Sequence, residues 1–337
     1  MDELTRPQAA PRTGEWAVRR RGRPPARLRL FCLPHAGGGA AAFRSWAQHL
    51  EPEIEVVPIR LPGRESRFRE RPHDRLGDLL PPLLRDVAPL LDGPHAWFGH
   101  SMGAGIAFEV CRALRRLGLP EPERLLVAGL PAPQLPRRAT PVHDAPAPEL
   151  FERIGALNGH GAEARAGNPL LNVMLPTLRA DFAVAETHLH RPGPPLDCPI
   201  TVYGGRSDAS TTEEELAAWE AHSSAGTTLR FFDGGHFFPH DAPELFLPVL
   251  ADDLLGRRPR AALTAPAGRT VHSPTFSAAA EADAPSAGTP PPVVPAAPPA
   301  RPGSPGRGRA GGARGETGAA VRSLGRWAPP AERRPAP

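Results

Sequence analysis

The 337-residue sequence predicts an α/β fold with a mostly parallel central sheet and helices on both of its faces. Two observations lead to this prediction. Between residues 27 and 257, short apolar runs of strand length alternate with longer segments of helical periodicity. A long stretch at about 131–195 breaks this alternation and carries helical patterns of its own, so it predicts a helical lid inserted into the sheet fold.

The individual elements follow from these patterns in chain order. Apolar runs predict strands at 27–33, 54–59, 95–98, 124–128, 199–203 and 228–232. Helical periodicity predicts helices near 41–50, 76–91, 103–117, 213–222 and 243–254. Within the insertion, a Pro-rich loop precedes helical patterns near 149–157 and 170–188.

The two ends of the chain differ in composition from its centre. Residues 1–26 are polar with many Arg, and residues 258–337 are rich in Ala, Pro, Gly and Arg, which predicts a disordered leader and a disordered tail. The net charge of +4 comes from these ends, because residues 27–257 carry 23 Arg against 29 Asp and Glu. The folded unit at 27–257 therefore lacks the basic surface of a nucleic-acid-binding protein. Composition specifies no partner for the tail, which favours inert disorder over an interaction arm.

Cysteine usage and hydropathy bear on the compartment. Cys32, Cys111 and Cys198 are scattered and match neither a metal spacing nor a disulfide framework. The first residues contain no apolar segment typical of a signal peptide, and no apolar run is long enough to span a bilayer. These features predict a cytoplasmic protein without a membrane association.

The strongest chemical motif is Gly99-His100-Ser101-Met102-Gly103. It follows a predicted strand and opens a predicted helix, which is the setting of the nucleophile elbow in α/β-hydrolases. We therefore predict that Ser101 is a catalytic nucleophile, and that the backbone N–H of Met102 points toward a developing oxyanion. The alternative is a chance Gly-x-Ser-x-Gly in a Gly-rich chain, which the strand-to-helix context disfavours.

A glycine-rich turn follows the first predicted strand at 33–39. In α/β-hydrolases a backbone N–H from this turn completes the oxyanion hole, and we predict Ala36 as that second donor. The turn lacks the Lys-Ser/Thr ending of a P-loop and the G-x-G-x-x-G pattern of a dinucleotide site. His35 could be a base, but its position fits a role in shaping the pocket better.

A catalytic serine needs a base and an acid, which follow it in the order Ser, Asp/Glu, His in this fold. His236 comes after the last predicted strand and is the predicted general base. Asp208 follows the preceding strand and is the predicted acid. Asp233 competes with it but suits the Asp-Gly turn, and Asp181 and Asp197 precede the strand and fit worse.

No pattern in the sequence predicts a cofactor or a metal. His188 and His190 are two residues apart, which is unsuitable for one face of a helix. His236 and His240 are four apart, but Pro239 intervenes and no H-E-x-x-H motif is present.

With these motifs placed, residues 27–257 resemble type II thioesterases, the stand-alone editing enzymes of polyketide and nonribosomal peptide synthesis. The resemblance is carried by the segments at 30–38, 61–67, 98–104, 175–182 and 234–238, together with the Asp208 loop. It implies a triad of Ser101, Asp208 and His236, with Ala36 and Met102 as oxyanion donors and a mobile lid at 131–195. It also implies that aberrant or stalled acyl groups are hydrolysed from the phosphopantetheine arm of an acyl or peptidyl carrier protein.

Two other functions remain open at this point. The same triad could serve another serine hydrolase or an acyltransferase that acts on acyl-CoA or free esters. A non-catalytic binding or scaffolding protein is the third possibility, and the intact Ser, Asp and His candidates argue against it.

Overall fold

Seven strands form one sheet within the residues that the computed structural model describes, which are 16–19, 26–157, 169–257 and 269–271. The strands are β1 (Leu28–Leu33), β2 (Ile54–Pro58), β3 (His95–His100), β4 (Arg124–Ala128), β5 (Ile200–Gly205), β6 (Thr227–Phe232) and β7 (Arg269–Val271). Their order across the sheet is β2-β1-β3-β4-β5-β6-β7. Strands β1 to β6 pair in parallel and only β7, at the edge, is antiparallel, so the predicted mostly parallel sheet is confirmed.

The helices lie close to their predicted positions, except that the short helix at Phe238–Asp241 was not predicted. They are α1 (Trp46–Leu50), α2 (Leu76–Val87), α3 (Met102–Leu117), α4 (Ala147–Leu157), α5 (Pro169–Thr187), α6 (Glu213–Ala217), α7 (Phe238–Asp241) and α8 (Pro243–Leu255). Short 3₁₀ turns at Ala40–Phe43, Ala88–Leu90 and Ala218–His222 occupy the remaining parts of three predicted helices. In the described part of the chain, no helix has both the length and the apolar character that crossing a bilayer requires.

Apolar side chains cover both faces of the sheet because successive residues of a strand point to opposite sides. On β3, Trp97 joins the apolar cluster that α2 and α3 cover, whereas the next residue, Phe98, joins the cluster that α1 and α8 cover. Ile106 of α3 and Phe246 of α8 are fully buried against these two faces. This double covering explains why the interior strands are mostly apolar.

The structure differs from the predicted disordered leader at residues 16–19. Trp16 is only 3% exposed, and Arg67 lies over its indole ring at 4.4 Å. The backbone N–H groups of Trp16 and Ala17 donate to the Asp86 carboxylate at 3.3 and 3.1 Å. One aromatic residue in a polar stretch shows no periodicity, so the sequence pattern could not indicate this contact.

The predicted disordered tail at 258–337 also contains one described element. Strand β7 pairs with β6 between residues 269 and 271, inside the range assigned to the tail. Apart from residue 26, the remaining residues of the predicted leader and tail lie outside the described part of the chain.

Candidate active site

Ser101 stands at the sharp turn between β3 and α3. Its backbone has φ 55° and ψ −118°, a strained conformation for a residue with a side chain. A Cβ atom on Gly99 would lie 2.2 Å from the carbonyl oxygen of Gly103, and one on Gly103 would lie 2.3 Å from that of Leu33. The two glycines are therefore required by close backbone contacts, and the strand–turn–helix context predicted for Ser101 is present.

The glycines of α3 provide a matched test of this turn. We expect Gly103→Ala to lower the free energy of unfolding by about 1–3 kcal/mol, because its methyl group would overlap backbone atoms. Gly105→Ala is the control, since its new methyl group would meet only a side-chain atom of Leu130 at 3.6 Å. Alanine favours a helix over glycine by up to about 1 kcal/mol, so this control should be neutral or stabilising. Urea unfolding of both variants measures the difference, and equal stabilities would contradict the steric argument.

His236 and Asp208 form a buried pair at the ends of β6 and β5. Nδ1 of His236 lies 2.8 Å from Oδ2 of Asp208, and the two side chains are 3% and 1% exposed. Because a carboxylate only accepts, Nδ1 carries the hydrogen and Nε2 of a neutral His236 keeps its lone pair. Burial raises the pKa of Asp208, but the hydrogen bonds and charge from His236 and Ser210 outweigh it and hold the pKa below its usual value.

Ser210 contacts both members of this pair, and it was not among the residues predicted for the site. Its hydroxyl donates to Oδ1 of Asp208 at 2.6 Å, and its backbone N–H donates to the same oxygen at 2.9 Å. The hydroxyl oxygen also lies 3.1 Å from Nδ1 of His236. An Asp followed two residues later by Ser is typical of an Asx turn, so the sequence did contain a local signal for this contact.

The other three candidate carboxylates have different partners. Asp233 is exposed and lies 3.4 Å from Arg206. Asp197 pairs with Arg115 at 2.9 Å, and Asp181 pairs with Arg64 at 2.6 Å. Of the four carboxylates considered from the sequence, Asp208 alone contacts His236.

The loop that carries Ala36 packs against the start of α3. The approach of Gly103 to the carbonyl oxygens of Leu33 and Pro34 joins the beginning of this loop to the helix N-terminus at Met102. Within the loop, the N–H of Gly38 donates to the carbonyl oxygen of His35 at 2.9 Å. Ala36 and Met102 therefore lie on two segments that are in contact, as a shared oxyanion hole requires.

A buried ion pair fixes this loop to helix α5 of the insertion. Arg64 donates to both carboxylate oxygens of Asp181, at 2.6 and 2.8 Å, and the side chains are 6% and 3% exposed. Arg64 also donates to the carbonyl oxygen of Gly38 at 2.7 Å, and Asp181 accepts from the N–H of Gly37 at 2.7 Å. The pair therefore connects α5 with the glycine-rich turn, a role that the sequence did not indicate for Asp181.

We expect Asp181→Asn to lower the free energy of unfolding by about 3–5 kcal/mol, because it leaves the Arg64 charge buried without its counter-ion. The control is Arg257→Gln, which breaks an ion pair with Glu53 whose side chains are 46% and 47% exposed. An exposed pair contributes about 0–1 kcal/mol. Chemical denaturation of both variants gives the comparison, and a loss below 1 kcal/mol in Asp181→Asn would show that the buried pair does not stabilise the fold.

The insertion predicted as a lid places an apolar cluster over the Ala36 loop. Val142, Leu150, Leu178 and Phe182 are buried together, and Ala36 packs against them. A Cβ atom on Gly37 would lie 2.7 Å from Cδ2 of Leu178. Helices α4 and α5 thus bring apolar side chains next to the predicted oxyanion donor, while residues 158–168 of the predicted lid lie outside the described part of the chain.

Three further histidines lie beside His236. Nitrogen atoms of His35, His100 and His240 are all within 4.8 Å of one another, which makes them a group able to hold a metal ion. Burial lowers the pKa of His35 to about 3 and that of His240 to about 4, and it takes the pKa of His100 well below its usual value. All three are neutral near pH 7. The sequence predicted no metal-ligating group here, because these residues are distant along the chain.

Comparison with known proteins gives consistent matches. A family model described as a thioesterase domain matches residues 28–252. The gramicidin S biosynthesis protein GrsT of Aneurinibacillus migulanus is 36% identical over 68% of this chain and 89% of its own length. The thioesterase PikA5 of Streptomyces venezuelae is 36% identical over 78% of this chain and 92% of its own length.

Solved structures of thioesterases are also similar to this chain. The type II thioesterase BorB from the borrelidin biosynthetic cluster has a TM-score of 0.63 and 34% identity, covering 72% of this chain and 97% of its own. The RedJ thioesterase from the prodiginine pathway of Streptomyces coelicolor has a TM-score of 0.63 and 38% identity, covering 68% of this chain and 86% of its own.

Proposed function

This chain belongs to the thioesterase domain family, and from that premise we propose that it hydrolyses acyl groups from the phosphopantetheine arm of acyl or peptidyl carrier proteins. The acyl groups would be aberrant or stalled intermediates of polyketide or nonribosomal peptide synthesis. The names of its relatives, which refer to gramicidin S and borrelidin biosynthesis, support this substrate class. The buried Asp208–His236 pair, with Ser101 at a strained turn, is the observation that carries the proposal.

Ser101, His236 and Asp208 are the proposed triad. Nε2 of His236 takes the proton as Oγ of Ser101 attacks the thioester carbonyl, while Asp208 holds Nδ1 and stabilises the imidazolium. The carbon–sulfur bond then breaks, and His236 returns the proton to the departing thiolate. A water molecule attacks the acyl-enzyme with His236 again as base, which releases the free acid and restores Ser101.

Ala36 and Met102 are the proposed oxyanion donors. Their backbone N–H groups would bind the negative charge on the former carbonyl oxygen in both tetrahedral intermediates. Support comes from the contact between the Ala36 loop and the N-terminus of α3. The buried Arg64–Asp181 pair would hold this loop in place, since both residues bond to its glycines.

A substrate panel tests the proposal. Wild type and Ser101→Ala are incubated with one acyl group presented on a carrier protein, on CoA and on a simple oxygen ester, and the released acid is quantified. We expect the largest kcat/KM for the carrier-bound thioester and no release above background by Ser101→Ala. A preference for acyl-CoA or for the oxygen ester would instead favour another serine hydrolase or an acyltransferase.

A further inference from the structure

Three imidazole rings lie close together next to the proposed triad, those of His35, His100 and His240. The ring centroids are 5.2 Å apart for His35 and His100, 5.4 Å for His35 and His240, and 5.2 Å for His100 and His240. His35 belongs to the Ala36 loop, His100 ends β3 and His240 lies on α7. Three separate parts of the chain thus bring imidazoles together in a nearly equilateral arrangement.

The tautomer of His100 follows from its hydrogen bond. Nε2 of His100 lies 2.8 Å from the carbonyl oxygen of His236. A carbonyl oxygen only accepts, so Nε2 carries the hydrogen and Nδ1 of the neutral ring has a free lone pair. This Nδ1 is buried and has no hydrogen-bond partner among the described residues. A buried acceptor without a partner is unfavourable, and a ligand bound to this nitrogen would satisfy it.

The other two rings also offer free nitrogens. Nδ1 of His35 is buried without a hydrogen-bond partner in the described part of the chain. His240 has a backbone hydrogen bond to Ala42 that raises its pKa, which leaves its other ring nitrogen buried and free. Three imidazole nitrogens are a donor set preferred by zinc, nickel and copper ions. The hydrogen bond from Nε2 of His100 to a backbone carbonyl is the outer contact that commonly orients a metal-binding histidine.

The distances between the histidine nitrogens suit such an ion after small side-chain rotations. Three nitrogens at about 2.0–2.1 Å from a tetrahedral ion are about 3.4 Å apart. The histidine nitrogens already lie within 4.8 Å of one another, so limited side-chain rotations close the site. His35 and His240 are partly exposed as residues, but their free nitrogens are buried, so an ion would enter as these side chains rotate.

We propose that His35, His100 and His240 bind a divalent transition-metal ion such as Zn²⁺, and that its binding slows the hydrolase. His35 precedes the proposed oxyanion donor Ala36, and His100 precedes the proposed nucleophile Ser101. Drawing the two imidazoles toward one ion moves both neighbours from the arrangement that the reaction requires. The slowing of hydrolysis rests on the proposed function, whereas metal binding does not.

The first experiment measures binding without any substrate. The full-length chain without an affinity tag is treated with a chelator and titrated with Zn²⁺ by calorimetry and with Co²⁺ by visible absorption. We expect one equivalent to bind and the Co²⁺ spectrum to be tetrahedral. His240→Phe should weaken binding at least about tenfold, a loss comparable to that from removing an outer-shell contact. The phenyl ring of this variant can still pack against Phe43 and Trp46, whose ring centroids lie 5.7 and 5.9 Å from that of His240.

His49→Phe is the matched control, because His49 is exposed on α1 and forms no such group with the other described residues. It should bind the ions as wild type does. His240→Gln serves as a second variant if His240→Phe does not fold. Absence of a one-to-one complex, or wild-type affinity in a folded His240 variant, would overturn the site.

The second experiment measures hydrolysis with and without Zn²⁺. We expect saturating Zn²⁺ to lower the rate at least about tenfold in wild type and in His49→Phe, but not in the His240 variant. Stoichiometric binding without any change in rate would refute the inhibitory effect. A protein that binds Zn²⁺ but has no thioesterase activity would refute the proposed function and leave the metal site standing.

Discussion

Replacing Ser101 with alanine should lower kcat for acyl-thioester hydrolysis by about 10⁵–10⁶-fold, the loss seen when a triad serine acts as nucleophile. The variant would have no atom able to form the acyl-enzyme, and only the oxyanion donors and substrate binding would remain to accelerate the reaction. Single-turnover hydrolysis of the carrier-bound substrate measures the loss. Labelling with a fluorophosphonate, followed by mass spectrometry, tests whether the reactive atom is Oγ of Ser101.

Ser207→Ala is the control for this substitution. Ser207 is an exposed serine next to Asp208, and its backbone N–H donates to the carbonyl oxygen of Gly234. Removing its hydroxyl should leave both the rate and the labelling unchanged. Loss of less than tenfold in Ser101→Ala, or labelling that persists in it, would exclude Ser101 as the nucleophile.

Asp208→Asn should lower kcat by about 10⁴-fold with little effect on folding. The amide NH₂ of asparagine would face Nδ1 of His236, which would then have to accept, and the ring hydrogen would move to Nε2. A ring in that tautomer cannot take the proton from Ser101. Steady-state kinetics should show the loss in kcat while KM changes little, because Asp208 is buried behind His236 and does not line the substrate side in this scheme.

Two further variants serve as comparisons for Asp208→Asn. Asp233→Asn makes the same chemical change three residues before His236, at an exposed carboxylate, and should retain wild-type activity. Ser210→Ala removes one of the donors to Oδ1 of Asp208 but keeps the backbone N–H of Ser210, so we expect a loss below about tenfold. If Asp233→Asn were the more damaging variant, Asp208 would not be the acid.

The order of strands along the chain predicted the position of the acid only in part. The chain order Ser, Asp, His limited the acid to a few carboxylates and favoured the one after β5. Contact with His236 is decided by where β5 and β6 end side by side in the sheet. Ser210 lies in the same region. Its contact with the pair depends both on the local turn after Asp208 and on the position of His236.

Sequence patterns alone predicted the six parallel strands, most of the helices, the helical insertion and the turn at Ser101. Each of these depends on residues close along the chain: apolar periodicity marks an element, and Gly99 allows no side chain because a Cβ there would meet the backbone of Gly103. Such requirements are local, so they are visible in consecutive letters of the sequence.

Contacts between side chains that are far apart in the chain are seen only in the folded protein. The Arg64–Asp181 pair joins residues 117 positions apart, and Trp16 is buried by residues that follow it much later in the chain. The cluster of His35, His100 and His240 likewise gathers three segments that no spacing rule connects. These contacts have no local signature, because the free energy of burying a charge, an indole or an imidazole depends on the partner that the completed fold places beside it.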